Sequence, residues 1–287
     1  MDNGNQTSKT GTLILIGGAE DKLQEKFILR TVYQFCGGSR ARITILPSAS
    51  ISDESASEYK EIFTDFGVEK VEVVPLFNRK DANEPNLVKE LESSTGIFLA
   101  GGDQSKMVKI LQGTKAYHAI LNCYQKNGGV IAGTSAGAAA VSNPMIASGP
   151  KGSIPRSGMA KIASGLGLSH YLLVDQHFHQ RDRMGRLISG VLSYPHMLGI
   201  GIDEDTAAVV SSQDQLSVIG RGTVTIIDAC QAQCLNPSTT PQGSPLAFSE
   251  LIIHMLIAGD LFDLNRRTVI SKEKSHENFR KSSLSRS

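Results

Sequence analysis

Ser135 stands in the run Gly133-Thr134-Ser135-Ala136-Gly137, directly after the apolar stretch Gly129-Val130-Ile131-Ala132 and before small residues able to open a helix. A serine at such a strand-to-helix turn meets the structural requirement of a nucleophile elbow. The turn is sharp enough that glycine is needed on its flanks, and the helix beginning at Ala136 aims its first amides at charge developing beside the hydroxyl. The alternative is a small-residue turn that packs a helix closely on a strand. A serine hydroxyl also needs a base, and histidine has the pKa for that task. His177 and His179 lie in Val174-Asp175-Gln176-His177-Phe178-His179-Gln180 at the end of another apolar run, where open α/β sheets place their sites. His118, His170, His196 and His254 fall in helical or turn patterns and read as surface or structural residues.

Two further groups of residues could serve such a pair. Arg181, Arg183 and Arg186 open a helix whose Met184, Leu187, Ile188 and Val191 face the core. Guanidiniums beside a strand end can clamp carboxylates bidentately, or can form a solvated helix face with Asp182 as partner. Glycine pairs follow two strands, in Gly17-Gly18-Ala19-Glu20-Asp21 and in Gly101-Gly102-Asp103-Gln104. Neither has dinucleotide or phosphate-loop spacing. The Gly102 amide suits an oxyanion hole together with that of Ala136, and two tight turns are the other reading.

The elements that must position these groups are those of an α/β fold. Apolar runs at Thr12 to Ile16, Arg42 to Leu46, Val71 to Leu76, Gly96 to Ala100, Gly129 to Ala132, Tyr171 to Val174 and Leu198 to Ile202 fit buried strands. Helical patterns at Lys22 to Phe35, Ser55 to Phe66, Lys106 to Gln125 and Arg181 to Leu192 lie between them, which predicts a largely parallel sheet flanked by helices. Ala207 to Ser211, Gln215 to Ile219 and Thr223 to Asp228 predict an antiparallel C-terminal extension, with a last helix over Phe248 to Ala258. A single catalytic domain is expected over residues 11–270, with polar tails at 1–10 and 271–287.

The composition narrows the function. With 29 basic and 28 acidic side chains the 287-residue chain has a net charge of +1, so nothing favours nucleic acid or an anionic membrane. The polar N-terminus lacks a secretory signal and no run approaches a membrane span, which reads as a soluble intracellular protein. Cys36, Cys123, Cys230 and Cys234 form neither a metal motif nor a disulfide framework and read as reduced.

Taken in order, Gly-Gly-Ala-Glu-Asp, Gly-Gly-Asp-Gln, Gly-Thr-Ser-Ala-Gly-Ala and Asp-Gln-His-Phe-x-x-Arg-x-Arg-x-x-Arg-Leu closely resemble the cyanophycinases, as does Gly201-Ile202-Asp203-Glu204-Asp205-Thr206. The resemblance implies a fold akin to class I glutamine amidotransferases and a cytoplasmic, homodimeric serine exopeptidase needing no metal or other cofactor. Its substrate would be cyanophycin, a polyaspartate with arginine on each β-carboxyl, released as β-aspartyl-arginine dipeptides. Ser135 matches the nucleophile and His177 the base, while Gln104, Asp175, Gln176, Arg181, Arg183 and Arg186 match residues lining the substrate pocket. The resemblance places the relay acid at Ser153, in a stretch between Ser135 and His177 that contains no Glu. That departure leaves two alternatives: an aspartyl dipeptidase acting on small aspartyl peptides, or a catalytically impaired cyanophycin-binding homologue.

Overall fold

The computed structural model describes residues 10–48, 54–236 and 240–270. The expected tails at 1–10 and 271–287 fall almost wholly outside the described residues. Strands β1 (Thr12–Ile16), β2 (Arg42–Ser48), β3 (Lys70–Val73), β4 (Gly96–Gly102) and β5 (Val130–Thr134) lie in the order β1-β5-β4-β2-β3, every neighbouring pair parallel. These are the runs expected to be strands, and their continuous apolar character follows from burial on both faces, with Leu13 to Ile16 of β1 wholly inaccessible. After a hairpin of β6 (Met145–Ser148) and β7 (Lys161–Ala163), β8 (Leu172–Gln176) and β9 (Leu198–Ile202) pair in parallel in a second sheet.

The expected antiparallel extension divides between the two sheets. β10 (Thr206–Val210) and β11 (Gln215–Gly220) continue the large sheet beyond β1, whereas β12 (Val224–Asp228) joins β9. A small hairpin of β13 (Gln233–Cys234) and β14 (Phe248–Ser249) then precedes β15 (Ile252–Leu256), which pairs with β12 along its whole length. The helix expected over Phe248 to Ala258 is therefore strand, because pairing with β12 overrides the local pattern. β16 (Leu261–Asp263) and β17 (Thr268–Ile270) complete the large sheet.

Helices α1 (Phe27–Phe35) and α2 (Glu54–Asp65) cover one face of the large sheet, where Leu29 and Phe63 pack on Ile14, Ile45 and Phe98. α3 (Pro85–Glu92), α4 (Gln104–Leu111), α5 (Lys115–Gln125) and α6 (Ala136–Ala140) lie on the other. The pattern over Lys106 to Gln125 resolves into two helices. The chain breaks at Gly113, whose φ of 74° is outside the helical range, and restarts where Thr114 Oγ1 accepts the Tyr117 amide at 3.3 Å. α7 (Met184–Ser193) connects β8 to β9 and packs Leu187 and Val191 on Leu173 and Ile227. The opposite face of the small sheet, through Leu172, Val174, Ile200 and Ile202, shares one hydrophobic core with Leu13 and Leu15 of the large sheet. The two sheets thereby bring the ends of β1, β4, β5, β8 and β9 to a common rim.

Candidate active site

Ser135 follows β5 with φ 51° and ψ −113°, a strained conformation for a non-glycine residue and the geometry expected of an elbow. A Cβ on Gly133 would sit 2.6 Å from the Gly137 carbonyl, so the turn closes only with glycine at these flanks. His177 follows β8, and its Nε2 lies 2.9 Å from Ser135 Oγ. Gln176 Oε1 lies 3.3 Å from the same hydroxyl.

The other ring nitrogen corrects the expectation at Ser153. His177 Nδ1 is 2.6 Å from Glu204 Oε1, whereas Ser153 is exposed in the loop between β6 and β7. The carboxylate that meets the imidazole thus comes after the histidine, from the residues that follow β9. Its signal was present in Asp203-Glu204-Asp205, an acidic run directly behind an apolar strand. Packing separates the three carboxylates. Asp203 accepts from His179 Nδ1 at 2.9 Å and from Thr223 Oγ1 at 2.8 Å, and Asp205 Oδ1 accepts the Asp21 amide at 2.9 Å. Burial alone would raise the Asp203 carboxyl, but the bonds from Thr223 and His179 outweigh it and hold the pKa low. Glu204 is left to meet the imidazole.

His177 is only 7% exposed, and that burial depresses its pKa below the ordinary value of 6.5. The bond to Glu204 resists the shift, and the charges of Arg181 and Arg183 add to it. The neutral imidazole is therefore the resting form, able to take a proton from Ser135.

The arginines occupy quite different environments. Arg186 is buried and grips Asp175 bidentately, Nε to Oδ2 at 2.8 Å and Nη2 to Oδ1 at 2.5 Å, while its Nη1 donates to the Gly149 carbonyl at 3.1 Å. Arg183 Nη1 also reaches Asp175 Oδ1, at 3.2 Å. Asp175 is thus saturated by its own chain and is not open to a substrate guanidinium, contrary to the expected pocket role. Gln104 Nε2 is engaged as well, donating to the carbonyls of Ile146 at 3.2 Å and Ala147 at 2.8 Å. Arg181 is exposed and lines a cavity of about 640 Å³ together with Lys151, Gln180, Asp182, Arg183 and Arg186. The cavity adjoins the relay, since Gln180 Oε1 accepts the Glu204 amide at 3.1 Å.

At the end of β4, a Cβ on Gly101 would sit 3.5 Å from Ser135 Cβ, which puts the Gly101-Gly102 turn beside the serine. Ala136 is the first residue of α6. Among the described residues no group of three or more His, Cys, Asp or Glu side chains is placed to hold a metal, and no helix is long and apolar enough to cross a membrane.

Comparison with known proteins agrees with this geometry. Residues 13–219 match the model of peptidase family S51. A cyanophycinase from Nostoc sp. is 42% identical over 266 residues, which is 92% of this chain and 89% of that protein. A cyanophycinase from Geminocystis herdmanii is 38% identical over 258 residues, 90% and 94% of the two chains. The crystal structure of a peptidase from an acI-B1 Actinobacterium superposes with a TM-score of 0.67 at 22% identity, covering 90% of this chain and 98% of the other, and so shares the fold. The chain therefore belongs to peptidase family S51 and is a serine-type peptidase.

Proposed function

We propose that the protein hydrolyses the backbone of cyanophycin and releases β-aspartyl-arginine dipeptides, with Ser135, His177 and Glu204 as its relay. The observation that carries this reading is the unbroken file Ser135 Oγ, His177 Nε2, His177 Nδ1, Glu204 Oε1, with separations of 2.9 and 2.6 Å across the polar contacts. In the proposed reaction Ser135 Oγ attacks the scissile carbonyl as its proton passes to His177 Nε2. Glu204 fixes the tautomer and stabilises the imidazolium. The amides of Gly102 and Ala136 receive the oxyanion, and the tetrahedral centre collapses when His177 gives its proton to the leaving amine. Water, deprotonated by His177, then releases the acyl group and restores Ser135.

Arg181, exposed in the cavity together with Lys151, would hold a substrate carboxylate, with Gln176 beside the reacting hydroxyl. Arg183, Arg186 and Asp175 would shape the pocket wall. The same proposal includes a cytoplasmic homodimer. The edge strand β15, with Ile252, Ile253 and Met255 exposed, is a surface suited to a second copy, and four free thiols fit a reducing compartment. The impaired-homologue reading loses its motive, because Glu204 stands where an acid was thought missing.

Incubation of the purified protein with cyanophycin, followed by product analysis, tests the proposal. Wild type is expected to release β-aspartyl-arginine, and Ser135→Ala to lower the rate by at least about a thousandfold. Undiminished turnover by Ser135→Ala would refute it.

A further inference from the structure

The turn after β1, residues 16–21, touches every segment of the relay. The Ile16 carbonyl accepts the Ser135 amide at 3.0 Å, the Gly17 carbonyl accepts the His177 amide at 2.8 Å, and the Gly18 carbonyl accepts the amide of Asp205, next to Glu204, at 2.9 Å. Gly18, with φ 98°, lies directly against the imidazole, where a Cβ would come within 2.4 Å of His177 Cε1. One short turn is therefore in contact with the nucleophile, the base and the segment bearing the acid.

Within this turn Glu20 is only 4% exposed, and a buried carboxylate is unfavourable unless its oxygens are hydrogen-bonded. One oxygen accepts from the Tyr59 hydroxyl of α2 and the other from Thr134 Oγ1, the latter at 2.8 Å. Thr134 is the last residue of β5 and is joined through its peptide bond to the strained Ser135. Tyr59 is itself held in place, for Lys22 stands 4.1 Å above its ring and 2.7 Å from Glu58. The Glu20 partners are thus scaffold hydroxyls, one of them a single residue away from the nucleophile.

We infer that Glu20 is a positioning residue for hydrolysis, whose carboxylate clamps the 16–21 turn to Thr134 and so sets the mutual placement of Ser135, His177 and Glu204. The inference rests on the serine relay proposed above. Glutamine at this place retains the shape but offers one acceptor and one donor, so either Thr134 or Tyr59 must turn its hydroxyl or lose its partner. Because Glu20 acts on the reacting groups through their backbone, its loss appears in kcat and not in KM.

The test is steady-state hydrolysis of cyanophycin by the full chain, with thermal melting of each variant measured alongside. Glu20→Gln and Thr134→Val are expected to lower kcat by about tenfold to a hundredfold, in keeping with small displacements of reacting groups, and to change KM by less than about twofold. Their double variant should fall by less than the product of the two single losses, since both act on the same clamp. Thr134→Ser, which keeps the hydroxyl, should restore kcat. If Glu20→Gln folds poorly, the Thr134→Val and Thr134→Ser pair decides. Wild-type kcat in Glu20→Gln or Thr134→Val, or a loss matched by the unfolded fraction alone, overturns the inference. Ser135→Ala in the same assay separates the two failures: an inactive Ser135→Ala beside a fully active Glu20→Gln rejects only the role of Glu20, whereas an active Ser135→Ala removes the relay on which it rests.

Discussion

At Ser135 three side chains from three strand ends join in a single file of polar contacts, whereas in the neighbouring cavity two arginines of one chain segment converge on a single carboxylate and a third remains open. In the proposed relay each group leaves the next ready to react. Around Asp175 the purpose is closure: Arg186 and Arg183 neutralise a buried acid and fix the start of α7, and only Arg181 keeps its charge exposed. Charge near a site is thus not the same as charge available to a substrate. Three arginines in sequence suggest three clamps, but the folded chain has already used most of that binding capacity on itself.

Substitution on the relay side should have the greatest effect. Glu204→Gln preserves the shape but cannot stabilise an imidazolium, and is expected to lower kcat about ten-thousandfold in cyanophycin turnover, with folding intact by circular dichroism. A loss of less than tenfold would show that Glu204 does not serve His177 as the relay acid. The closed half of the pocket should instead respond in stability. Arg186→Ala strands Asp175, only 1% exposed, without its bidentate partner, and denaturant titration should show a loss of about 3–5 kcal/mol. An unchanged midpoint would mean that Asp175 had found another partner and that the two regions differ less than their geometry indicates.

The smallest effect is expected at the open arginine, where the two regions meet. Arg181→Gln should raise KM by about tenfold, the contribution of one charge-assisted hydrogen bond, and leave kcat nearly unchanged. It should also move the acid limb of the pH profile. Burial and then the positive charge of Arg181 lower the His177 pKa, so wild-type kcat/KM persists below pH 6.5 and falls as the pH drops through that lowered value. Removing the charge lets the pKa rise, and the fall should begin at higher pH. A limb that stays in place would separate the cavity electrostatically from the relay.

Sequence patterns revealed the parallel strands, Ser135 and His177, because each is marked locally by an apolar run ending in a turn of small or polar residues. Glu204 was harder to identify. It lies 27 residues beyond His177, between two other acids after the same strand, and only the partners taken by Asp203 and Asp205 distinguish it. The segment over Phe248 to Ala258 failed for a related reason: its apolar residues suit a helix face equally well, and the choice of strand is made by β12, more than twenty residues earlier. Arg181, Arg183 and Arg186 were visible as a cluster, but their division into closed and open members depends on a carboxylate whose burial no local pattern reports.

Ser135 belongs to the large sheet, while His177 and Glu204 come from the small one, and the two meet through their shared core and the backbone hydrogen bonds of the turn after β1. A chain in which just the first five strands have assembled therefore carries an elbow serine with no base to activate it. Only the two sheets together bring the imidazole to the serine, so turnover reports the native state more stringently than secondary-structure content does.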